Sequence, residues 1–423
     1  MAQYIINGPC KDFGGRVTIS GSKNSSLPIM AAALLSSEES VLRNVPILSD
    51  TAAMSEIIRA MGCEVYRDDK NLIHISADLK SRPKYNDYPL FSRLRASVLV
   101  MAPCLARFGR VRIPLPGGCK IGARPIDLHL KGLSAMGAKI RQGHGFVEAS
   151  APKGLSGTKI YLDFPSVGAT ENLMMAACLA EGETIIENAA NEPEISDLAD
   201  FLTGMGGIIS GAATDTIKIK GVPRLHGNAH RVIPDRIEAG TFLICAAGLG
   251  APIRCENVES EHLKPLIAKL AEMGFETDCG EGCIDLSPCA KPKAVDIKTL
   301  PYPGFPTDLQ AQTMALLSTC EGNGMVVETV FENRFTHIPE LRRMGAEIKT
   351  EGNVAFTEGV KRLSGAQVKA TDLRAGAALT AAALKANGTS VIHDIEHIQR
   401  GYERFCEKLR ALGADIRIET DKI

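Results

Sequence analysis

Apolar positions recur along this chain at helical spacing and stop at a Met-Gly or Leu-Gly pair six times: Met61-Gly62, Met136-Gly137, Met205-Gly206, Met273-Gly274, Met344-Gly345 and Leu412-Gly413. The pairs stand about 70 residues apart, too far for a solenoid repeat and far enough for a small αβ unit. A glycine just after the last apolar residue of a helix reads as the left-handed cap that ends it. Strand-like runs follow, among them Cys63-Glu64-Val65, Ala138-Lys139-Ile140, Ala346-Glu347-Ile348 and residues 414–418. Earlier in the repeat lies a second kind of helix, rich in alanine and apolar nearly all round, over 27–35, 173–180, 239–247 and 375–384. Helices without a polar face belong in the interior. The methionines of the pairs read as helix core rather than a ligand surface. The pattern predicts an α/β protein of six similar units, grouped as two domains of three.

Four polar or charged clusters stand where interior helices begin: Ser22-Lys23-Asn24, Asp235-Arg236, Thr307-Asp308 and Asp372-Leu373-Arg374. A helix N-terminus presents free N–H groups that suit an anion. Length supports two or three domains, and 45% apolar residues over 423 positions suffice for a sizeable core. A net charge of −1 leaves no global basic field, so neither nucleic acid nor an acidic membrane is expected as a partner. Met1-Ala2-Gln3-Tyr4-Ile5-Ile6 lacks the basic region and long apolar stretch of a signal peptide. No apolar run reaches the roughly 18 residues that span a bilayer. Twelve scattered cysteines do not form a disulfide framework, and a reducing cytoplasm is expected.

The strongest chemical signal is Pro116-Gly117-Gly118-Cys119-Lys120-Ile121-Gly122-Ala123-Arg124-Pro125. It sets one cysteine among glycines, with a lysine beside it and an arginine five residues on. Nearby cations and free N–H groups stabilise a thiolate, and an arginine can grip a phosphate or carboxylate with two N–H groups. Lys23, Arg95, Arg124, Arg334, Arg374 and Arg400 come from all parts of the chain. If the helix N-termini converge, these cations converge too, and a polyanionic small substrate would neutralise them.

The loop resembles the catalytic loop of the UDP-N-acetylglucosamine enolpyruvyl transferase family. Ser20-Gly21-Ser22-Lys23-Asn24 resembles that family's first anion site and Ser166-Val167-Gly168-Ala169-Thr170 its nucleotide-side segment. Phe305-Pro306-Thr307-Asp308, Phe331-Glu332-Asn333-Arg334, Thr371-Asp372-Leu373-Arg374 and Arg400-Gly401-Tyr402-Glu403 complete a set that runs in family order over essentially the whole chain. The resemblance implies two domains, each an inside-out α/β barrel, over 1–20 with 235–423 and over 21–234, with the active site in the interdomain cleft. It implies that the N-terminal strand joins the C-terminal half, with crossovers near Gly21 and Pro234. The implied reaction moves the enolpyruvyl group of phosphoenolpyruvate onto the 3-hydroxyl of UDP-N-acetylglucosamine, early in peptidoglycan synthesis, without a metal or other cofactor. Cys119 would be the general acid, able to form a covalent adduct and open to alkylation by the epoxide fosfomycin. Asp308 would be the base at the sugar hydroxyl. Lys23, Arg124 and Arg400 would hold the phosphate, Arg334 and Arg374 the carboxylate, and Asn24 the intermediate. Arg95, rather than Arg93, would line the nucleotide-sugar side with Arg124, Pro125, Ile126, Asp127, Leu128, Ser166, Val167, Gly168, Asp308 and Val330. Glu192 and Glu194 also resemble a family segment and carry no assigned chemistry.

Two other readings bear weighing. The sister transferase for shikimate 3-phosphate would lack the Pro-Gly-Gly-Cys loop and carry a Leu-Gly-Asn-Ala-Gly-Thr segment, which this chain does not contain. A non-catalytic sensor of nucleotide sugars would be favoured by loss of Cys119 or Asp308, and both are present. His393-Asp394-Ile395-Glu396-His397 matches a zinc-protease pattern that works only on a helix. Here Thr389-Ser390-Val391-Ile392 reads as a strand, the next helix as starting after Arg400, and the motif as a polar surface turn. Cys279, Cys283 and Cys289 lack tight metal-ligand spacing and read as strand and turn cysteines. Gly248-Leu249-Gly250 lacks the third glycine of a dinucleotide fingerprint.

Overall fold

The computed structural model describes residues 2–78, 88–114, 126–143 and 145–420, apart from the side chains of Tyr88, Pro89 and Arg93. These residues form two units, each around its own apolar core. One unit takes the described chain up to Ser20 and from Pro234 onward, and the other takes it from Gly21 to Ile233. Gly21, where the chain enters the second unit, has no room for a side chain, since an added Cβ would lie 1.6 Å from the Asn44 carbonyl oxygen.

One module recurs in each of the six sheets. It is complete in strand Lys159–Tyr161, helix Val167–Ala177, strand Glu183–Glu187, helix Pro193–Gly204, and the strands Ile208–Ser210 and Thr216–Lys220. The first two strands run parallel, joined by the first helix. The fourth strand lies antiparallel beside the second, and the third pairs on the fourth. Four other sheets keep this order, and the sheet of Arg110–Pro114, Phe146–Ser150 and Lys139–Gly143 has its last three members among the described residues. Strands distant in sequence complete three sheets, and in one of them Gly15–Thr18 runs parallel to Ile253–Glu256. Ala2–Gly8 lies between Gly388–His393 and Ile416–Thr420, with Ile5 opposite both Val391 and Arg417. Ala229–Arg231 runs parallel to Ser40–Arg43.

The first helix of each module is the alanine-rich one, and it is buried. Arg236–Leu249, Thr307–Leu317 and Leu373–Lys385 pack on one another inside the first unit. Lys23–Ala32, Met101–Phe108 and Val167–Ala177 fill the second. The second helix of each module ends at a Met-Gly or Leu-Gly pair. All six glycines adopt φ between 92° and 100°, the left-handed region that reverses the chain at small cost only for glycine.

Local boundaries differ from expectation in three places. The helix expected over 173–180 stops at Ala177, and the one expected over 27–35 tightens into a 3-10 turn at Ala33–Leu35. A four-residue helix, Glu396–Gln399, begins before Arg400 rather than after it. Asp394, at φ 58°, ends the strand, and Ile395 plugs the core at 0% exposure, which folds the chain at once into that turn. His393 closes a strand and His397 sits in the short helix, so the two do not share a helix. Cys279 and Cys283 lie on paired strands Thr277–Gly280 and Cys283–Leu286, and Arg254 donates to the Cys283 sulfur at 3.1 Å. Among the described residues, no three His, Cys, Asp or Glu side chains are grouped to hold a metal ion, and no helix is long and apolar enough to cross a membrane.

Candidate active site

In the first unit the N-termini of the three central helices meet. Asp235 caps Arg236–Leu249, accepting from the backbone N–H of Ile237 and Glu238 at 2.8 and 3.0 Å. Asp372 caps Leu373–Lys385, accepting from the N–H of Arg374 and Ala375 at 2.8 and 3.1 Å. Such caps satisfy donors that a helix leaves open and fix the first turn. The first turn of Thr307–Leu317 carries Asp308. Its Oδ1 accepts from Arg334 Nη2 at 2.7 Å and its Oδ2 from Arg374 Nη2 at 2.8 Å. The arginine side chains are 4% and 5% exposed, and charges so buried persist only when paired. Burial works against the charge of Arg374, but Asp308 outweighs it and holds the guanidinium more firmly protonated than usual. For Asp372 burial is likewise overcome, by the Arg334 charge and by hydrogen bonds, so its carboxyl sits below the ordinary carboxylate range.

A polar layer lies behind Arg374. Arg374 Nη1 donates to the Tyr402 hydroxyl at 3.3 Å, which is also 2.9 Å from Thr241 Oγ1. Gln312 Nε2 donates to Tyr402, Thr241 and the Asp308 carbonyl at 3.0 to 3.1 Å. Arg400, half-buried, follows the short helix two residues before Tyr402. Val330 is held by its N–H on Glu328 Oε1 at 2.8 Å, and Glu328 Oε2 accepts from Thr307 Oγ1 at 2.9 Å. Glu328 thus ties the Val330 segment to the start of the helix that bears Asp308.

In the second unit, Ser22 caps Lys23–Ala32 by accepting from the Ser25 N–H at 3.2 Å, which places Lys23 and Asn24 in the first turn. Lys23 Nζ lies 3.7 Å from Asp50 Oδ2. This helix packs on the 3-10 helix Arg95–Val100, whose first residue is half-buried. Ser166 caps Val167–Ala177, accepting from Ala169 N–H at 3.4 Å. Ile126 is buried, and Asp127 and Leu128 open the helix Asp127–Ala135. His129 on that helix meets the helix Val167–Ala177 at two points. Its Nδ1 is 2.7 Å from Asn172 Nδ2, and a Cβ on Gly168 would sit 3.2 Å from its Cε1. Burial, then the Arg95 charge, lowers the His129 pKa to about 4, so the ring is neutral near pH 7 and accepts the Asn172 amide proton. Glu171, fully buried one turn along from Gly168, is held well above the carboxylate range by burial and then by Glu194 and Glu192.

The structure thus gathers Asp308, Arg334 and Arg374 in the first unit, with Arg400 two residues before the Tyr402 that backs Arg374, and in the second sets Arg95 within electrostatic reach of His129, which lies against Gly168. Cys119, Lys120, Arg124 and Pro125 lie outside the described residues. Sequence reading named Tyr402 only within the Arg400 motif and gave it no role, and it passed over Thr241, Gln312 and Glu328, as well as His129 and Asn172. The available signal was slight: Thr241, Gln312 and Asn172 are polar residues that the central helices bury.

An α/β fold with six repeated sheets and arginine-rich helix N-termini defines a narrow class. The family model that matches residues 8–409 is described as EPSP synthase (3-phosphoshikimate 1-carboxyvinyltransferase). The chain belongs to this family of 1-carboxyvinyltransferases. Within the family, UDP-N-acetylglucosamine 1-carboxyvinyltransferase 2 of Carboxydothermus hydrogenoformans is 57% identical over 423 residues, 100% of either chain. UDP-N-acetylglucosamine 1-carboxyvinyltransferase 1 of Caldanaerobacter subterraneus is 56% identical over 404 residues, 95% of this chain and 96% of its own. Among solved structures, the enolpyruvyl transferase NikO from Streptomyces tendae superposes with a TM-score of 0.89 at 26% identity, covering 100% of this chain and 99% of its own. EPSP synthase from Acinetobacter baumannii shares the fold, with a TM-score of 0.78 at 19% identity over 99% and 100% of the two chains.

Proposed function

We propose that this protein transfers the enolpyruvyl group of phosphoenolpyruvate to the 3-hydroxyl of UDP-N-acetylglucosamine and releases phosphate, the first committed step of peptidoglycan precursor synthesis in the cytoplasm. The observation that carries the reading is end-to-end identity of 57% with a relative named for that sugar nucleotide. The Asp308, Arg334 and Arg374 cluster supports it, because a buried pair of arginines at one carboxylate is machinery for small anions. The six modules act as two inside-out α/β barrels, over 1–20 with 235–423 and over 21–234.

The chemistry follows from the bonds that change. The sugar oxygen forms a bond to C2 of phosphoenolpyruvate while the methylene carbon gains a proton and the hydroxyl loses one. The tetrahedral intermediate then expels phosphate, and loss of a methyl proton restores the double bond. Cys119 delivers the proton to the methylene carbon and Asp308 takes the hydroxyl proton. Lys23, Arg124 and Arg400 hold the phosphate and Arg334 and Arg374 the carboxylate, where charge develops. Asn24 contacts the intermediate. Arg95, Arg124, Pro125, Ile126, Asp127, Leu128, Ser166, Val167, Gly168, Asp308 and Val330 face the nucleotide sugar.

The test is phosphate release from phosphoenolpyruvate by the purified protein. Release is expected with UDP-N-acetylglucosamine present and none without it, or with shikimate 3-phosphate in its place. Release that needs only shikimate 3-phosphate overturns the reading in favour of the sister reaction.

A further inference from the structure

Tyr402 is buried behind Arg374, at 2% exposure, and the chemistry above gives it no part. Its hydroxyl meets Arg374 Nη1, Thr241 and Gln312 within 3.3 Å. The two arms of Arg374 therefore differ. Nη1 rests on a neutral hydroxyl pinned by two central helices. Nη2 rests on the carboxylate of Asp308, whose side chain is 26% exposed against 5% for Arg374. Arg334 offers a spare donor as well. Its Nη2 holds Asp308 Oδ1, while its buried Nε has no hydrogen-bond acceptor among the described residues. Buried N–H groups without acceptors are rare and unfavourable, so the site holds more donors than Asp308 satisfies. The surplus suits a second carboxylate arriving from solution.

We propose that Asp308 occupies the carboxylate subsite as an internal anion, and that Tyr402 is the positioning residue that keeps Arg374 aimed while the donor's carboxylate takes over its Nη2 arm. This rests on the assignment of Arg334 and Arg374 to that carboxylate in the proposed function. The exchange moves no proton and no electron; one carboxylate replaces another on a guanidinium. It has a chemical consequence. With both oxygens accepting from arginines, Asp308 is poorly placed to accept a proton from a sugar hydroxyl. An arriving carboxylate releases one oxygen, so the base is exposed by the substrate whose reaction it serves. Gln312 steadies the exchange, because its hold on the Asp308 carbonyl at 3.0 Å keeps the helix start in place while the side chain turns.

The experiment is calorimetric titration of the intact protein with phosphoenolpyruvate alone, so that no turnover intervenes. Asp308→Asn removes the competing charge and is expected to bind phosphoenolpyruvate roughly tenfold tighter than the wild type. Tyr402→Phe removes the acceptor under Arg374 and is expected to bind it about fivefold or more weaker. In steady-state assays Tyr402→Phe raises KM for phosphoenolpyruvate by the same factor and leaves kcat and KM for UDP-N-acetylglucosamine within about twofold. If Tyr402→Phe does not fold, Thr241→Val, which leaves the tyrosine hydroxyl in place, gives the same split at smaller amplitude. Unchanged or weaker binding by Asp308→Asn overturns the exchange. Equal loss in kcat and in both KM values, or no change in either, overturns the role of Tyr402. Wild-type protein that binds phosphoenolpyruvate but releases no phosphate with UDP-N-acetylglucosamine overturns the proposed function instead, while the Asp308→Asn comparison still reports on the exchange.

Discussion

Burial pushes the thiols of Cys178, Cys245 and Cys320 up to about 12 and that of Cys63 up to about 11. Burial is also the leading cause of the upward shifts at Cys10 and Cys279. A thiol reacts as thiolate, so these cysteines are poor nucleophiles near neutral pH. Cys119 differs in its sequence setting, with glycines before it and Lys120 after it. Fosfomycin, a small phosphonate epoxide, should therefore label this one sulfur, in step with loss of activity, and Cys119→Ser should resist it. Peptide mass spectrometry decides the matter: label spread over Cys279, Cys283 and Cys289, or an inactivated protein with unmodified Cys119, contradicts the assignment. Lys23, Asp308 and Arg374 were legible in the sequence because a charge at the start of an alanine-rich helix stands out, whereas Arg95, Arg334 and Arg400 were reached through the family resemblance. Tyr402 and Thr241 were not, since they meet across 161 positions of chain and neither is unusual where it stands.

At the scale of elements, helix Val167–Ala177 carries the least expected ionisable group, Glu171, held above the carboxylate range chiefly by burial. The sign of its effect follows from linkage. A carboxyl raised in the folded state contributes its full stability below the unfolded value of 4.5, and loses it as pH rises toward the folded one. Glu171→Gln keeps the shape without the ionisation. Its stability advantage over the wild type should grow as pH rises above about 5, read from urea unfolding midpoints. An advantage that stays flat or shrinks with pH removes Glu171 as a buried acid. The modules themselves were legible, because the Met-Gly pairs mark a cap that few other residues can make. Strand partners were not legible in the local pattern, and the joining of the N-terminal strand to the C-terminal half was implied by the family resemblance alone. Ala2–Gly8 beside Gly388–His393, and Ala229–Arg231 beside Ser40–Arg43, are joined by tertiary pairing that no local pattern encodes. Helix ends shifted for a similar reason, since core contacts such as that of Ile395 override local preference.

For the whole molecule, a net charge of −1 conceals local cations at the assigned positions, with Lys23 and Arg95 in one unit and Arg334, Arg374 and Arg400 in the other. The residues assigned to the proposed reaction come from both units. Neither unit alone carries the full list of assigned residues. The direct measurement is the structure of the product formed from phosphoenolpyruvate and UDP-N-acetylglucosamine, by mass spectrometry and proton NMR. The account predicts a nucleotide sugar heavier by one enolpyruvyl group, with two vinyl protons on an ether at the 3-position and one phosphate released per ether formed. An unmodified sugar nucleotide after complete consumption of phosphoenolpyruvate, or an enolpyruvyl group on a different acceptor or hydroxyl, would contradict it.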